Sequence, residues 1–205
     1  MDEDGHIKII LLGNTGVGKT SIINKFGNNS FDENQFTTPS PNFIRKSLKI
    51  NNEIVKVQLW DTAGQEKYNS VSKLFTKNAK IIILVYDVTR IESFKGLNYW
   101  YDFIKNDLDK NVIIGLAGNK VDKLYEDEFD EEVTSEEAKK CAENWGVDFA
   151  LLSAKCDQKG IDVFFEQLIK KYLEMYSIPK NERKTIAISN DTFEKKVEQK
   201  TICCS

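Results

Sequence analysis

The sequence predicts an α/β fold built on a mostly parallel sheet, and three observations predict it. Strand-like and helix-like patterns alternate from residue 7 to about residue 176 of the 205. Three continuous apolar runs, Ile81-Ile82-Ile83-Leu84-Val85-Tyr86, Val112-Ile113-Ile114-Gly115-Leu116-Ala117 and Phe149-Ala150-Leu151-Leu152, have the composition of strands buried on both faces. Finally, Gly13-Asn14-Thr15-Gly16-Val17-Gly18-Lys19-Thr20 joins a strand pattern to a helix pattern and fits G-x-x-x-x-G-K-[ST], the phosphate-binding loop.

The elements follow in order. Ile7-Lys8-Ile9-Ile10-Leu11-Leu12 is a short buried strand, and Ser21-Ile22-Ile23-Asn24-Lys25-Phe26 opens a helix with Ile22, Ile23 and Phe26 on its apolar face. Residues 31–43 are polar, carry two prolines and have no period, so they form a loop. Residues 44–50 and 54–60 flank Asn51-Asn52, a two-residue turn that tolerates positive φ. Leu48 and Ile50, like Val55, Val57 and Leu59, alternate with polar partners, which predicts an antiparallel pair. Phe94, Leu97, Tyr101 and Ile104 are spaced as one face of a helix. Thr134-Ser135-Glu136-Glu137 is a capping box opening a helix with Ala138, Cys141, Ala142 and Trp145, closed by Gly146. Residues 161–175 make the last helix, with Phe164, Phe165, Leu168, Ile169 and Tyr172 inward. The acidic stretch Tyr125-Glu126-Asp127-Glu128-Phe129-Asp130-Glu131-Glu132 reads as a solvated insertion. From Ser177 onward the low hydrophobicity predicts a disordered tail.

Composition excludes several classes. A formal net charge of −3 without a basic stripe argues against a nucleic-acid partner. No apolar run reaches the length of a membrane span, and Met1-Asp2-Glu3-Asp4 has the wrong charge for a signal peptide. Four cysteines without a secretion signal suggest a reducing compartment, with Cys141 and Cys156 as packing residues. The one histidine, His6, is expected to be solvated.

The chemistry concentrates at predicted strand ends, where ligand contacts belong in an open α/β sheet. Backbone N–H groups of the glycine-rich loop wrap a polyphosphate at a helix start; Lys19 adds charge near the outer phosphates and Thr20 offers a hydroxyl to Mg²⁺. Asp61-Thr62-Ala63-Gly64 places a carboxylate for the Mg²⁺ shell and a Gly64 N–H for a terminal phosphate. In Asn119-Lys120-Val121-Asp122 a carboxylate can accept two hydrogen bonds from the edge of guanine, which adenine cannot offer. Ser153-Ala154-Lys155 can supply a backbone N–H to guanine O6.

In this order the motifs resemble the Ras superfamily of small GTPases and, within it, the Rab family, over residues 7 to about 175. Lys56-Val57-Gln58-Leu59-Trp60-Asp61-Thr62-Ala63-Gly64-Gln65-Glu66 and Leu84-Val85-Tyr86-Asp87-Val88-Thr89 are Rab-typical segments. The resemblance implies a P-loop small-GTPase fold with a six-stranded sheet, one antiparallel edge strand and helices on both faces. It implies a GTP-binding domain over 1–176 and a tail over 177–205. Its nucleotide contacts would be Thr15, Gly16, Val17, Gly18, Lys19, Thr20, Ser21, Phe31, Thr38, Gly64, Asn119, Lys120, Asp122, Ser153, Ala154 and Lys155. Mg²⁺ would lie on Thr20, Thr38 and Asp61, and Gln65 would orient the attacking water. Phe43, Trp60 and Phe75 occupy the positions of the aromatic triad that meets effectors; simple packing is the alternative reading. Cys203 and Cys204 resemble the double prenylation signal. The implied role is a GTP/GDP switch in vesicle trafficking. It would be a monomer cycling between cytosol and the cytoplasmic face of an intracellular membrane. Its partners would be an exchange factor, an activating protein, effectors, a prenylation escort and a GDP-dissociation inhibitor.

The chain also departs from the family. Pro39-Ser40-Pro41 follows Thr38 where Ile-Gly is usual, Phe36 replaces a frequent tyrosine, and Lys67 replaces an arginine. Thr37 competes with Thr38 as a ligand by chemistry alone. One other reading stays open here, a GTP-bound scaffold without turnover; a phosphoryl transferase on the same loop would need an acceptor site and an arginine-bearing lid, neither of which the sequence shows.

Overall fold

Five of the six residues of Ile7–Leu12 are buried, and a strand with no polar face needs a neighbour on each edge and a cover on each side. This strand, β1, has all four. The computed structural model describes residues 5–33, 42–61, 76–107, 111–125 and 133–177. The other strands are β2 (Asn42–Ile50), β3 (Glu53–Asp61), β4 (Ile81–Asp87), β5 (Ile113–Asn119) and β6 (Asp148–Leu151). They form one six-stranded sheet in the order β2-β3-β1-β4-β5-β6. Only β2 and β3 pair antiparallel; every other neighbouring pair is parallel. The expected sheet, with its antiparallel edge strand, is the one found.

Helices cover both faces. They are α1 (Lys19–Asn28), α2 (Ile91–Lys95), α3 (Leu97–Asp107), α4 (Ser135–Trp145) and α5 (Gln158–Ser177). On one face Ile10, Leu12, Ile82, Leu84 and Tyr86 meet Leu97, Trp100 and Ile104 of α3 and Ala138 and Ala142 of α4. On the other, Phe26 of α1 stacks on Phe165 of α5 with ring centroids 4.1 Å apart, both fully buried. Gly115 of β5 lets α5 come close: a Cβ there would press on Phe164 and Leu168. The chain divides into two compact units, Met1–Lys170 and Lys171–Ser205, the second described only over 171–177.

Local chemistry set the turns as expected. Asn51 and Asn52 both have positive φ (51° and 67°), and Ile50 pairs with Glu53, which is a two-residue hairpin of the primed type. The box at α4 is complete. The Glu137 N–H donates to Thr134 Oγ1 (3.2 Å), and Thr134 N–H and Oγ1 donate back to the Glu137 carboxylate (3.1 and 2.8 Å). The Thr134 hydroxyl first, and its N–H second, hold the Glu137 carboxyl below the usual range. Its contribution is therefore present above the unfolded carboxylate pKa and fades as pH falls through the folded value. Gly146 closes the helix at φ 65°.

Four expectations need correction. The run at 149–152 is expected to be buried on both faces, but β6 ends the sheet, and Phe149, Ala150 and Leu151 are half-buried; only Leu152, just past the strand, is buried. Cys156 is exposed rather than packed, because it lies in the turn after β6; Cys141 is half-buried, and burial pushes its thiol pKa up. The helix through Phe94 and Ile104 is in two pieces divided at Gly96. The Asn14 side chain lies against Gly96 and donates to Glu92 O (3.3 Å), the same carbonyl that the Gly96 N–H uses. His6 is half-buried ahead of β1 rather than solvated. The acidic stretch beyond Tyr125 and the tail beyond Ser177 lie outside the described residues.

The Phe26–Phe165 stack joins helices that are far apart in sequence, so truncating it opens a cavity under the sheet. Phe26→Ala is expected to lower the unfolding free energy by about 3–5 kcal/mol in a urea titration. Ile54→Ala, at a side chain 76% exposed, should stay within about 0.5 kcal/mol of the parent.

Candidate functional site

Because β1, β3, β4, β5 and β6 run parallel, their carboxyl ends all open on one edge of the sheet. The connections diverge at β1, which lies between β3 and β4, and that switch point is where a ligand crevice forms. The glycine-rich loop leaves β1 there. Gly13 has φ 147°, and a Cβ on it would run into the Val85 carbonyl of β4. Gly16 has φ 81°. Gly18, at φ 93°, is the N-cap of α1, and a Cβ there would strike the Asn119 amide. Lys19 is 6% exposed, and its ammonium donates to Gly13 O (2.7 Å) and Asn14 O (3.1 Å), which folds the loop around a positive charge. The first bond of α1 is Ile22 N–H to Gly18 O, so the N–H groups of Lys19, Thr20 and Ser21 precede the helical ladder. A cradle of N–H groups around an ammonium at a helix start favours a polyanion.

Two further loops are tied to this one. The buried Asn119 side chain, at the end of β5, donates from Nδ2 to Val17 O (2.9 Å) and accepts at Oδ1 from the Ala154 N–H (3.1 Å). One amide thus spans the phosphate loop and the turn after β6. The Ala154 N–H that could serve a base carbonyl is therefore engaged with Asn119. Lys120 reaches Gly16 O at 2.7 Å, and its ammonium lies 2.7 Å from Asp87 Oδ2. Asp122, in a 3₁₀ turn over Val121–Tyr125, accepts from the Ser153 hydroxyl at 2.5 Å; the Cys156 N–H donates to the same hydroxyl (3.0 Å). The carboxylate is held in one orientation, as a bidentate acceptor must be.

Asp61 closes β3 at 6% exposure, one residue beyond the Trp60–Ile10 pairing, so its carboxylate lies level with the end of β1. The Asp61 carboxylate and the Thr20 hydroxyl are hard oxygen donors, the ligand type that Mg²⁺ takes. Phe31 follows α1 at 36% exposure, and the Glu33–Lys155 ion pair (2.9 Å) draws this segment to the turn after β6. That pair is exposed and contributes little stability, about 0–1 kcal/mol. On the other edge, Phe43 and Trp60 pair across the hairpin with centroids 5.2 Å apart, and Lys8 Nζ lies 4.3 Å over the Trp60 ring. Thr37, Thr38, Gly64, Gln65, Phe75, Cys203 and Cys204 lie outside the described residues, as does Pro39-Ser40-Pro41.

Sequence reasoning missed two residues at this edge. Asp87 is 1% exposed at the end of β4, and Arg90 places its guanidinium beside Gly16. An acid terminating a wholly apolar strand was the available signal for Asp87.

Comparison with known proteins fits this geometry. The chain matches the Ras family over residues 8–174. It is similar to the Ras-like GTP-binding protein RYL2 of Yarrowia lipolytica, at 33% identity over 208 residues covering 96% of this chain and 97% of that one. It is similar to the Ras-related protein RABA1b of Arabidopsis thaliana, at 34% identity over 216 residues covering 100% and 96%. It is also similar to the Ras-related protein Rab5 of Nicotiana tabacum, at 38% identity over 159 residues covering 78% of each chain.

Gly13 has no room for a methyl group, because the obstacle is the backbone of β4. Gly13→Ala is expected to destabilise the fold by about 3 kcal/mol in thermal unfolding followed by circular dichroism. Gly146→Ala, with open space around it, should show only the smaller cost of its left-handed φ, about 1 kcal/mol.

Proposed function

This chain belongs to the Ras family, as a small GTPase of the Rab type, and we propose how its residues divide the work of a GTP-dependent trafficking switch. The protein binds GTP and hydrolyses it to GDP. The observation that carries the reading is the Asn119 amide bridging Val17 O and the Ala154 N–H, which fixes a phosphate loop and a base loop as one site.

Residues 1–176 act as the GTP-binding unit. Gly16, Val17, Gly18, Lys19, Thr20 and Ser21 wrap the phosphates, with Thr15 at the loop's tip. Asp122 accepts from the guanine edge, Phe31 leans on the base, and Asn119, Lys120, Ser153, Ala154 and Lys155 frame it. Thr20, Asp61 and Thr38 would hold Mg²⁺, which neutralises charge on the terminal phosphates when bound. The burial of Asp61 at the carboxyl end of β3, the strand beside β1, supports this assignment. Gln65 orients the attacking water, Gly64 contacts the terminal phosphate, and positioning does most of the catalysis. Residues 31–43 and 61–77 are ordered by GTP and released after hydrolysis. Phe43, Trp60 and Phe75 form the effector-facing aromatic patch, and Pro39-Ser40-Pro41 gives that surface its own shape. An exchange factor and an activating protein drive the cycle of a monomer.

The protein works at the cytoplasmic face of an intracellular membrane and returns to the cytosol with a prenylation escort or a GDP-dissociation inhibitor. Among the described residues, no helix is long and apolar enough to cross a membrane. Attachment is assigned to lipids on Cys203 and Cys204, which match the double prenylation signal. Residues 177–205 carry six Lys or Arg against four acids, too small an excess to replace a second lipid chain.

Asp122→Asn is expected to shift base preference from guanine toward xanthine, because an amide NH₂ donates to the added carbonyl. Competition binding with GTP, ATP and XTP reads this, and unchanged GTP preference would sink the base assignment. Gln65→Leu should slow single-turnover hydrolysis with nucleotide affinity nearly unchanged; hydrolysis at the parental rate would place the water elsewhere. Cys203→Ser or Cys204→Ser alone should weaken membrane retention, and the double substitution should leave the protein cytosolic on fractionation. Mass spectrometry of the terminal peptide checks the cause, and unmodified thiols on a membrane-bound pool would refute it.

A further inference from the structure

Asp87 ends β4 as a carboxylate 1% exposed, and each of its oxygens has an assigned partner. Oδ1 accepts from the Thr89 N–H (3.1 Å) and the Thr89 hydroxyl (2.8 Å). Oδ2 faces the Lys120 ammonium at 2.7 Å. The backbone of Asp87 is fixed as well: its N–H donates to Ser93 Oγ (2.9 Å), whose own hydroxyl lies on Arg90 O (2.7 Å). This carboxylate does not swing.

Lys120, by contrast, is held in a conformation it would not choose. Its φ is 71°, the left-handed region that costs a residue with a Cβ about 1–2 kcal/mol. Such a backbone persists only where surrounding contacts over-determine it. Here the backbone is held by the bonds from Lys123 N–H to Lys120 O (3.0 Å) and from Val121 N–H to Leu152 O (3.2 Å), and the side chain by the ion pair to Asp87 and the bond from Nζ to Gly16 O at 2.7 Å. The ammonium thus ties the end of β4 to the phosphate loop, and its chain passes beside Gly18.

We propose that Asp87 is a positioning residue for nucleotide retention: it clamps Lys120 in its strained backbone and so locks the base loop onto the phosphate loop. The inference rests on the guanine-nucleotide reading above. Without the carboxylate, the ammonium keeps only a carbonyl partner, the left-handed turn loses its side-chain restraint, and the two loops open more often. Since the clamp restrains loops that must part before a bound nucleotide leaves, the expected change is in the off-rate.

The experiment is release of a fluorescent GDP analogue chased with excess GDP, for the full chain and for Asp87→Asn, Lys120→Met, the double variant and Thr89→Val. Asp87→Asn keeps the shape and removes the charge. It should release nucleotide about 10- to 100-fold faster, Lys120→Met should do likewise, and the double variant should be no faster than the faster single. Thr89→Val leaves the charge pair in place and loosens only the carboxylate's orientation, so it should raise the rate by several-fold and serves if Asp87→Asn does not fold. Thermal melts of the nucleotide-free proteins separate a merely structural role, which would lower stability without coupling the two off-rates. Parental release from both Asp87→Asn and Thr89→Val, or fully additive effects of Asp87→Asn and Lys120→Met, overturns the clamp. A parental chain that holds no guanine nucleotide overturns the functional reading and the clamp with it.

Discussion

One buried side-chain amide decides the geometry on which the site depends. Asn119 donates to the phosphate loop through Val17 O and accepts from the turn after β6 through the Ala154 N–H. Each bond alone contributes about 1 kcal/mol, but leaving either backbone group buried and unpaired would cost about 1–3 kcal/mol. The amide is therefore less a stabiliser than a spacer. It sets the distance between the glycine-rich loop and the turn after β6, the two segments to which the proposed function assigns the phosphates and the base.

The spacer works because everything beneath it is rigid. β1, β4 and β5 are almost wholly apolar and sandwiched between helices, so their carboxyl ends cannot shift independently. Gly13, pressed on the Val85 carbonyl, and Gly18, pressed on the Asn119 amide, bring backbones closer than any side chain would allow. The close approach at Gly18 is what lets the Asn119 amide reach Val17 at all. Packing, glycine placement and the polar bridge thus form one chain of cause, from strand composition to ligand chemistry.

At the opposite edge the constraints relax. β2 is paired on one side only, and Phe43 and Trp60 stack across the hairpin with Phe43 41% exposed. Phe43 is exposed while Trp60 is half-buried against the core, and Lys8 lies over the Trp60 ring and Arg45 beside the Phe43 ring. The nucleotide edge and this aromatic edge are joined through β3, which carries Trp60 and Asp61 as consecutive residues. Consecutive residues on one strand thus place the half-buried Trp60 ring next to the buried Asp61 carboxylate.

The sequence by itself determined the elements whose cause is local. Asn51-Asn52 dictates the hairpin, Thr134 and Glu137 cap their helix, and the glycine spacing of the phosphate loop specifies its backbone, because each depends on neighbours within a few residues. The order of the site motifs was legible for the same reason: each sits at the end of a recognisable strand. Tertiary structure alone decided what depends on position in the sheet. The run at 149–152 is as apolar as the central strands, yet Phe149, Ala150 and Leu151 are half-buried because β6 lies at the edge, and only Leu152 is buried. Cys156 is exposed although Ser153 and Ala154 of the same turn are buried, and Asn14, 82 residues earlier in the chain, lies against Gly96 where the helix after β4 divides. The pairing of Asp87 with Lys120 was invisible for the same physical reason. Their contact follows from β4 and β5 lying side by side with Asp87 opposite Asn119, a register that side-chain burial across the whole sheet sets.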